Sequence, residues 1–126
     1  MMNAPLIAIV DDDASIRVAL EDLLGSLGWR TCMFASGEAF LNSAVLSEIR
    51  CLILDVHMPD MSGIELQEQL IDRRLDIPII FITAFPDETT KSRALKSGAV
   101  EFLYKPNDLN ERRLVSCLHK ALNKGS

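Results

Sequence analysis

Residues Leu6–Asp13 read LIAIVDDD, and residues Cys51–Asp55 read CLILD. Each is a short apolar run that stops abruptly at aspartate. A buried strand ending in a carboxylate places a charge at the lip of a hydrophobic sheet. Two such strands suggest neighbouring lips, with the acids converging on one point. Like charges about 4 Å apart repel by roughly 4 kcal/mol at an effective dielectric near 20. A cluster of this kind implies a missing cation, a raised pKa, or both.

Further apolar, β-favouring runs follow at Thr31–Phe34, Ile77–Ile82 and Ala99–Tyr104. Amphipathic stretches fill the gaps between all five runs. That alternation is the signature of βαβ units and a parallel sheet. The first helix carries Ile16, Leu20, Leu23, Leu24 and Leu27 on one face, with Gly28 as its stop. The second starts near Ser36, with Phe40, Leu41, Ala44 and Val45 as its apolar side. Ser62 and Glu65 have capping-box spacing and open the third. Asp87 caps the fourth, which Gly98 ends, and the fifth follows Pro106 with Leu114, Leu118, Ala121 and Leu122 facing inward. The fourth helix is the odd one. Between Asp87 and Ser97 its only sizeable apolar side chain is Leu95, so packing holds it weakly.

No linker or internal repeat divides the 126 residues, which read as a single domain over 1–126 with a core from about 6 to 122. A net charge of −5 argues against a nucleic-acid-binding surface on this segment and suits a metal-holding domain. No run reaches the ~18 apolar residues of a membrane span. The N-terminus lacks a signal-peptide pattern, because Asp11–Asp13 interrupt it. Cys32, Cys51 and Cys117 show no CxxC spacing and read as reduced thiols of a cytoplasmic protein.

Open parallel α/β sheets bind ligands beyond the carboxyl ends of their strands, at a topological switch point. The residues following the five runs are Asp11, Ala35, Asp55, Thr83 and Lys105. Taken alone, each has an ordinary explanation: a turn with a helix cap, a strand threonine, a solvated lysine. Together they bring two acids, a hydroxyl and an ammonium to one edge. Asp11, Asp12 and Asp55 form an oxygen-rich pocket suited to magnesium, while the absence of a DxDxDG pattern disfavours calcium. With metal in place the Asp55 carboxylate is a nucleophile for phosphorus. Asp13 is assigned mainly to helix capping or to a supporting contact behind the metal ligands.

With these residues in view, the sequence closely resembles the receiver domain of bacterial two-component response regulators. The resemblance is carried by IVDDD (Ile9–Asp13), LDVHMPDMSG (Leu54–Gly63), ITA (Ile82–Ala84) and SGAVEFLYKP (Ser97–Pro106). It covers nearly the whole chain, and SGEAFL (Ser36–Leu41) adds a likeness to the FixJ-type subgroup, whose members usually carry a DNA-binding output domain. The resemblance implies an α/β fold: a doubly wound (βα)5 arrangement around a parallel five-stranded sheet in the flavodoxin-like order 2-1-3-4-5. It implies Asp55 as phosphoacceptor. The metal ligands would be Asp11, Asp12, Asp55 and the backbone carbonyl of His57, holding magnesium, with manganese as a substitute. Thr83 would be the switch hydroxyl, Lys105 the phosphate-pairing cation and Phe102 the switch aromatic, and the Lys105–Pro106 peptide would be cis. Phe85, two residues after Thr83, flanks the expected path of an attacking water and is expected to slow hydrolysis, unless it simply packs against the fourth helix. Asn107 departs from the family pattern and puts the start of the fifth helix in question.

The function implied is phosphoryl transfer from a histidine kinase to Asp55, switching the helix 4, strand 5 and helix 5 surface. That surface would control a DNA-binding output domain, a partner, or homodimerisation. Neither direct nucleic-acid contact nor membrane contact is implied. Catalysis would be limited to the chain's own phosphorylation and slow dephosphorylation. The alternative is a phospho-independent interaction module on the same fold.

Overall fold

In the computed structural model, which describes residues 4–124, five strands alternate with five helices. They are β1 (Leu6–Val10), α1 (Ala14–Ser26), β2 (Arg30–Phe34), α2 (Gly37–Leu41), β3 (Ile49–Asp55), α3 (Gly63–Asp72), β4 (Ile79–Thr83), α4 (Glu88–Lys96), β5 (Glu101–Tyr104) and α5 (Glu111–Lys124). All strand pairs are parallel, in the order β2-β1-β3-β4-β5. This is the flavodoxin-like order, and its switch point lies between β1 and β3. No helix among the described residues is long and apolar enough to cross a membrane.

The strands are continuous apolar runs because both faces of the sheet are covered. Successive side chains point to opposite faces. Ala8 and Val10 of β1, Leu52 and Leu54 of β3, and Phe81 of β4 join Phe40, Leu66 and Leu70 on one side. Ile7, Ile9, Ile53, Ile80 and Ile82 join Leu20 and Leu24 of α1 and Leu114 and Leu118 of α5 on the other. Trp29 immediately precedes β2, at the end of that strand opposite Phe34, with its ring 6.3 Å from that of His119.

Two helix boundaries differ from expectation. α2 stops at Leu41, and Asn42 N–H closes it by donating to the Glu38 carbonyl. Phe40 and Leu41 already complete its buried face, and the chain turns through Leu46–Glu48 into β3, leaving Ala44 exposed outside the helix. α5 begins at Glu111 rather than directly after Pro106. A turn intervenes, in which Asp108 Oδ2 accepts the Tyr104 N–H at 2.9 Å and Asn110 Oδ1 accepts the Arg113 N–H at 3.0 Å. Asn107 lies in that turn, where its carbonyl accepts Asn110 Nδ2 at 2.9 Å.

Candidate functional site

The acids gather because β1 and β3 are hydrogen-bonded neighbours that end level with one another. Val10 pairs with Leu54, so Asp11 and Asp55 are the next residues out on adjacent strands. Asp11 is fully buried and Asp55 is 4% exposed, while Asp12 reaches solvent. One carboxylate oxygen from each of the three lies within 4.8 Å of the others.

Lys105 arrives from the end of β5 and is fixed there by donating its N–H to the Thr83 carbonyl at 2.8 Å. Its Nζ donates to Asp11 Oδ2 at 2.9 Å and lies 3.4 Å from Asp55 Oδ1. The peptide that follows, Lys105–Pro106, is cis. Asp11 is held at every polar atom. Its N–H donates to the Phe34 carbonyl at 3.2 Å, its Oδ1 accepts the Asp13 N–H at 2.9 Å, and its carbonyl accepts Arg17 Nη1 at 2.6 Å. Asp13 caps α1 by accepting the Ser15 N–H at 2.8 Å.

Burial and the neighbouring Asp11 charge push the Asp55 carboxyl up to about 6, against the opposing pull of Lys105 and of the His57 N–H. Burial draws the Lys105 ammonium down, but its bond to Asp11 and the two acid charges outweigh this and hold it above its ordinary value. A carboxylate trio with one shared ammonium is short of positive charge. Oxygen donors of this kind fit a small hard cation that takes one or two carboxylates and keeps part of its water. The donor set therefore suits magnesium or manganese.

Thr83 closes β4 and is fully buried. Its hydroxyl is bonded to the Phe85 backbone: Oγ1 accepts the Phe85 N–H at 3.1 Å and donates to the Phe85 carbonyl at 3.4 Å. Phe85 follows in the loop between β4 and α4. It is 63% exposed, and its ring stands edge-on to His57 with centroids 5.2 Å apart. Phe102 is buried on β5, between the rings of Phe81 at 6.0 Å and Tyr104 at 5.8 Å.

Three contributors escaped the sequence reading. Gly63, the first residue of α3, lies so close to the Asp55 carbonyl that no side chain fits, and its N–H donates to the Val56 carbonyl at 2.8 Å. A glycine directly after a capping serine was the available signal. Arg17 reaches back from α1 to the Asp11 carbonyl, and buried Gln67 donates from α3 to the Ala94 carbonyl in α4 at 3.1 Å. Neither contact has a local sequence signature.

Known proteins share this sequence pattern and this fold. The family model described as "Response regulator receiver domain" matches residues 7–118. The chain is 42% identical over 120 residues to the response regulator protein TodT of Pseudomonas putida strain F1, covering 95% of this chain and 52% of that protein. It is 42% identical over 98 residues to the transcriptional regulatory protein FixJ of Rhizobium meliloti strain 1021, covering 78% and 48%. The crystal structure of FixJ-N superposes with a TM-score of 0.83 at 35% identity, covering 98% of this chain and 96% of that one. The chain spans about half the length of the curated relatives it matches.

Proposed function

The chain belongs to the response regulator receiver domain family, and from that premise we propose that Asp55 accepts a phosphoryl group from the phosphohistidine of a partner kinase. The observation that carries this reading is the convergence of the Asp11, Asp12 and Asp55 carboxylates, with the Lys105 ammonium shared between two of them. An Asp55 carboxylate oxygen forms the new O–P bond as the N–P bond of the phosphohistidine breaks. The electron pair stays on the leaving imidazole nitrogen, which takes up a proton. Asp11, Asp12, Asp55 and the main-chain carbonyl of His57 would hold magnesium, or manganese in its place, and the cation would supply charge neutralisation for the transfer. Lys105 shifts from the carboxylates to pair with the phosphoryl oxygens. Positioning and electrostatics supply most of the rate in such transfers.

The readout begins at Thr83. Drawing its hydroxyl to the phosphoryl group releases the Phe85 N–H and loosens the loop leading into α4. With Phe102 as the companion aromatic, the α4, β5 and α5 surface is the part that changes, and phosphorylation biases a two-state equilibrium. By similarity to FixJ, the proposed output is transcriptional, through a DNA-binding domain or partner, with homodimerisation as a route to it. Catalysis is confined to the protein's own phosphorylation and slow dephosphorylation, in the cytoplasm.

Acetyl phosphate with magnesium is expected to add one phosphoryl group per chain by intact mass, and Asp55→Asn is expected to abolish it. Labelling that survives Asp55→Asn would overturn the assignment. Phe85, exposed beside His57, is proposed to shield the acyl phosphate from water. Phe85→Ala should then lose the label several-fold faster, and an unchanged decay rate would remove that role.

A further inference from the structure

Arg17 stands in an electrostatically awkward place. It is the fourth residue of α1, near the positive end of the helix dipole, where a cation is unfavourable. It also lies beside a site whose acids suit a divalent cation, which its charge repels. Neither helix stability nor cation attraction accounts for a guanidinium here. What it does make is a short, charge-assisted hydrogen bond, Nη1 to the Asp11 carbonyl at 2.6 Å.

That carbonyl belongs to the peptide joining Asp11 to Asp12. The two acids are held very differently. Asp11 is buried and bonded through both carboxylate oxygens, to Asp13 N–H and Lys105 Nζ. Asp12 is exposed, and no described side chain bonds or pairs with its carboxylate. Its direction is therefore set through its backbone, and Arg17 is the side chain that grips the peptide plane preceding it. The grip is itself rigid. The Arg17 N–H donates to the Asp13 carbonyl at 3.1 Å, while Asp13 caps the same helix turn. Residues 11–17 thus form a closed loop of hydrogen bonds, with α1 as its stiff side.

We infer that Arg17 is a positioning residue: by fixing the Asp11–Asp12 peptide plane from α1, it presents the Asp12 carboxylate to the cation. This deepens the proposed function and rests on it. Partners that orient a metal ligand in this way typically contribute 10- to 100-fold to metal affinity.

The test turns on a sign. Removing a positive charge beside a cation site should tighten binding if charge is all that Arg17 contributes, whereas removing a positioning contact should weaken it. Arg17→Met keeps the aliphatic stem and deletes both charge and donor. Calorimetric titration of the metal-free protein with magnesium chloride at low ionic strength should show about tenfold weaker binding than wild type. Affinity that is equal or tighter would overturn the inference. A merely structural role would lower the melting temperature of the metal-free protein and leave magnesium affinity unmoved, which also counts against it. Should Arg17→Met fail to melt cooperatively, Arg17→Lys takes its place. Lysine keeps the charge but is one bond shorter, so it falls short of the carbonyl; weaker binding is expected, and wild-type affinity would sink the idea. Wild-type protein that binds no magnesium would instead bring down the proposed function, and the inference with it.

Discussion

α3 and α4 sit against the same core, and their ends are built alike. Ser62 caps α3 in a reciprocal box with Glu65, and Asp87 caps α4 by accepting the Thr89 and Thr90 N–H groups. At the C-termini, Leu75 N–H donates to Leu70 O at 2.9 Å, and Ala99 N–H donates to Ala94 O at 3.1 Å. The left-handed residue that allows this turn is Arg74 after α3 and Gly98 after α4. The difference lies along their sides. α3 buries Ile64, Leu66 and Leu70, each contributing about 2 kcal/mol. α4 buries Ala94 alone, leaves Leu95 38% exposed, and leans on two polar contacts from α3. One is the buried amide of Gln67; the other is an exposed Arg93–Glu68 ion pair, which adds little. The helix abutting Asp55 is thus locked by packing, whereas the helix downstream of Thr83 is held mainly by hydrogen bonds. Segments that move in a switch are drawn from the weakly held part of a fold.

The contrast can be broken most forcefully at Gly63. A methyl group there collides with the Asp55 carbonyl and meets Phe81 Cε1 at 3.1 Å. Gly63→Ala should cost roughly 2–3 kcal/mol in urea unfolding, because overpacking beside backbone cannot be relieved by rotamer changes. A loss below about 0.5 kcal/mol would show that α3 is not locked against the strand.

A second handle is pH, which acts on the Asp55 flank of α3. With its pKa at about 6 against an ordinary 3.8, Asp55 keeps its proton longer in the folded chain. Its contribution to stability without metal therefore falls as pH rises from about 4 to about 6. Below about 6, binding a divalent cation must also displace that proton, lowering apparent affinity by up to about tenfold per pH unit. The rise in melting temperature caused by magnesium should accordingly be small at pH 5 and large at pH 7. Equal rises at both would place Asp55 outside the cation site.

The smallest effect concerns α4. Gln67→Leu removes the amide that reaches the Ala94 carbonyl, which still accepts the Ala99 N–H. Global stability should fall by only about 1 kcal/mol. Hydrogen exchange should quicken several-fold within α4 and hardly at all in α3. Equal acceleration in both helices would mean that they open as one unit, and the contrast would fail.

Much of this architecture is legible in the sequence because the strands end where apolar runs meet polar residues. Both faces of the sheet are covered, so the runs are unbroken and their ends are sharp. Capping at Ser62 and Asp87 is equally local and equally readable. α2 was harder, since Ala44 and Val45 continue a helical spacing that Asn42 has already ended. Strand-end reasoning brings Asp11, Asp55, Thr83 and Lys105 to one edge of the sheet. It does not reveal which way the Thr83 hydroxyl points, because that depends on a bond to Phe85 backbone. Arg17 and Gln67 were invisible for a related reason. Each acts by reaching a main-chain carbonyl, and carbonyls leave no trace in side-chain pattern.

The burial of β3 on both faces also governs its thiol chemistry. Cys51, fully buried four residues ahead of Asp55, has its thiol pushed up to about 12 by desolvation. Alkylation requires the thiolate, so in the closed fold a reagent such as iodoacetamide has almost nothing to attack. Cys32, on the edge strand β2, is only partly buried. Labelling of Cys32 therefore times the fraying of an edge, and labelling of Cys51 times the opening of the sheet's centre. The strand that presents Asp55 carries its own clock.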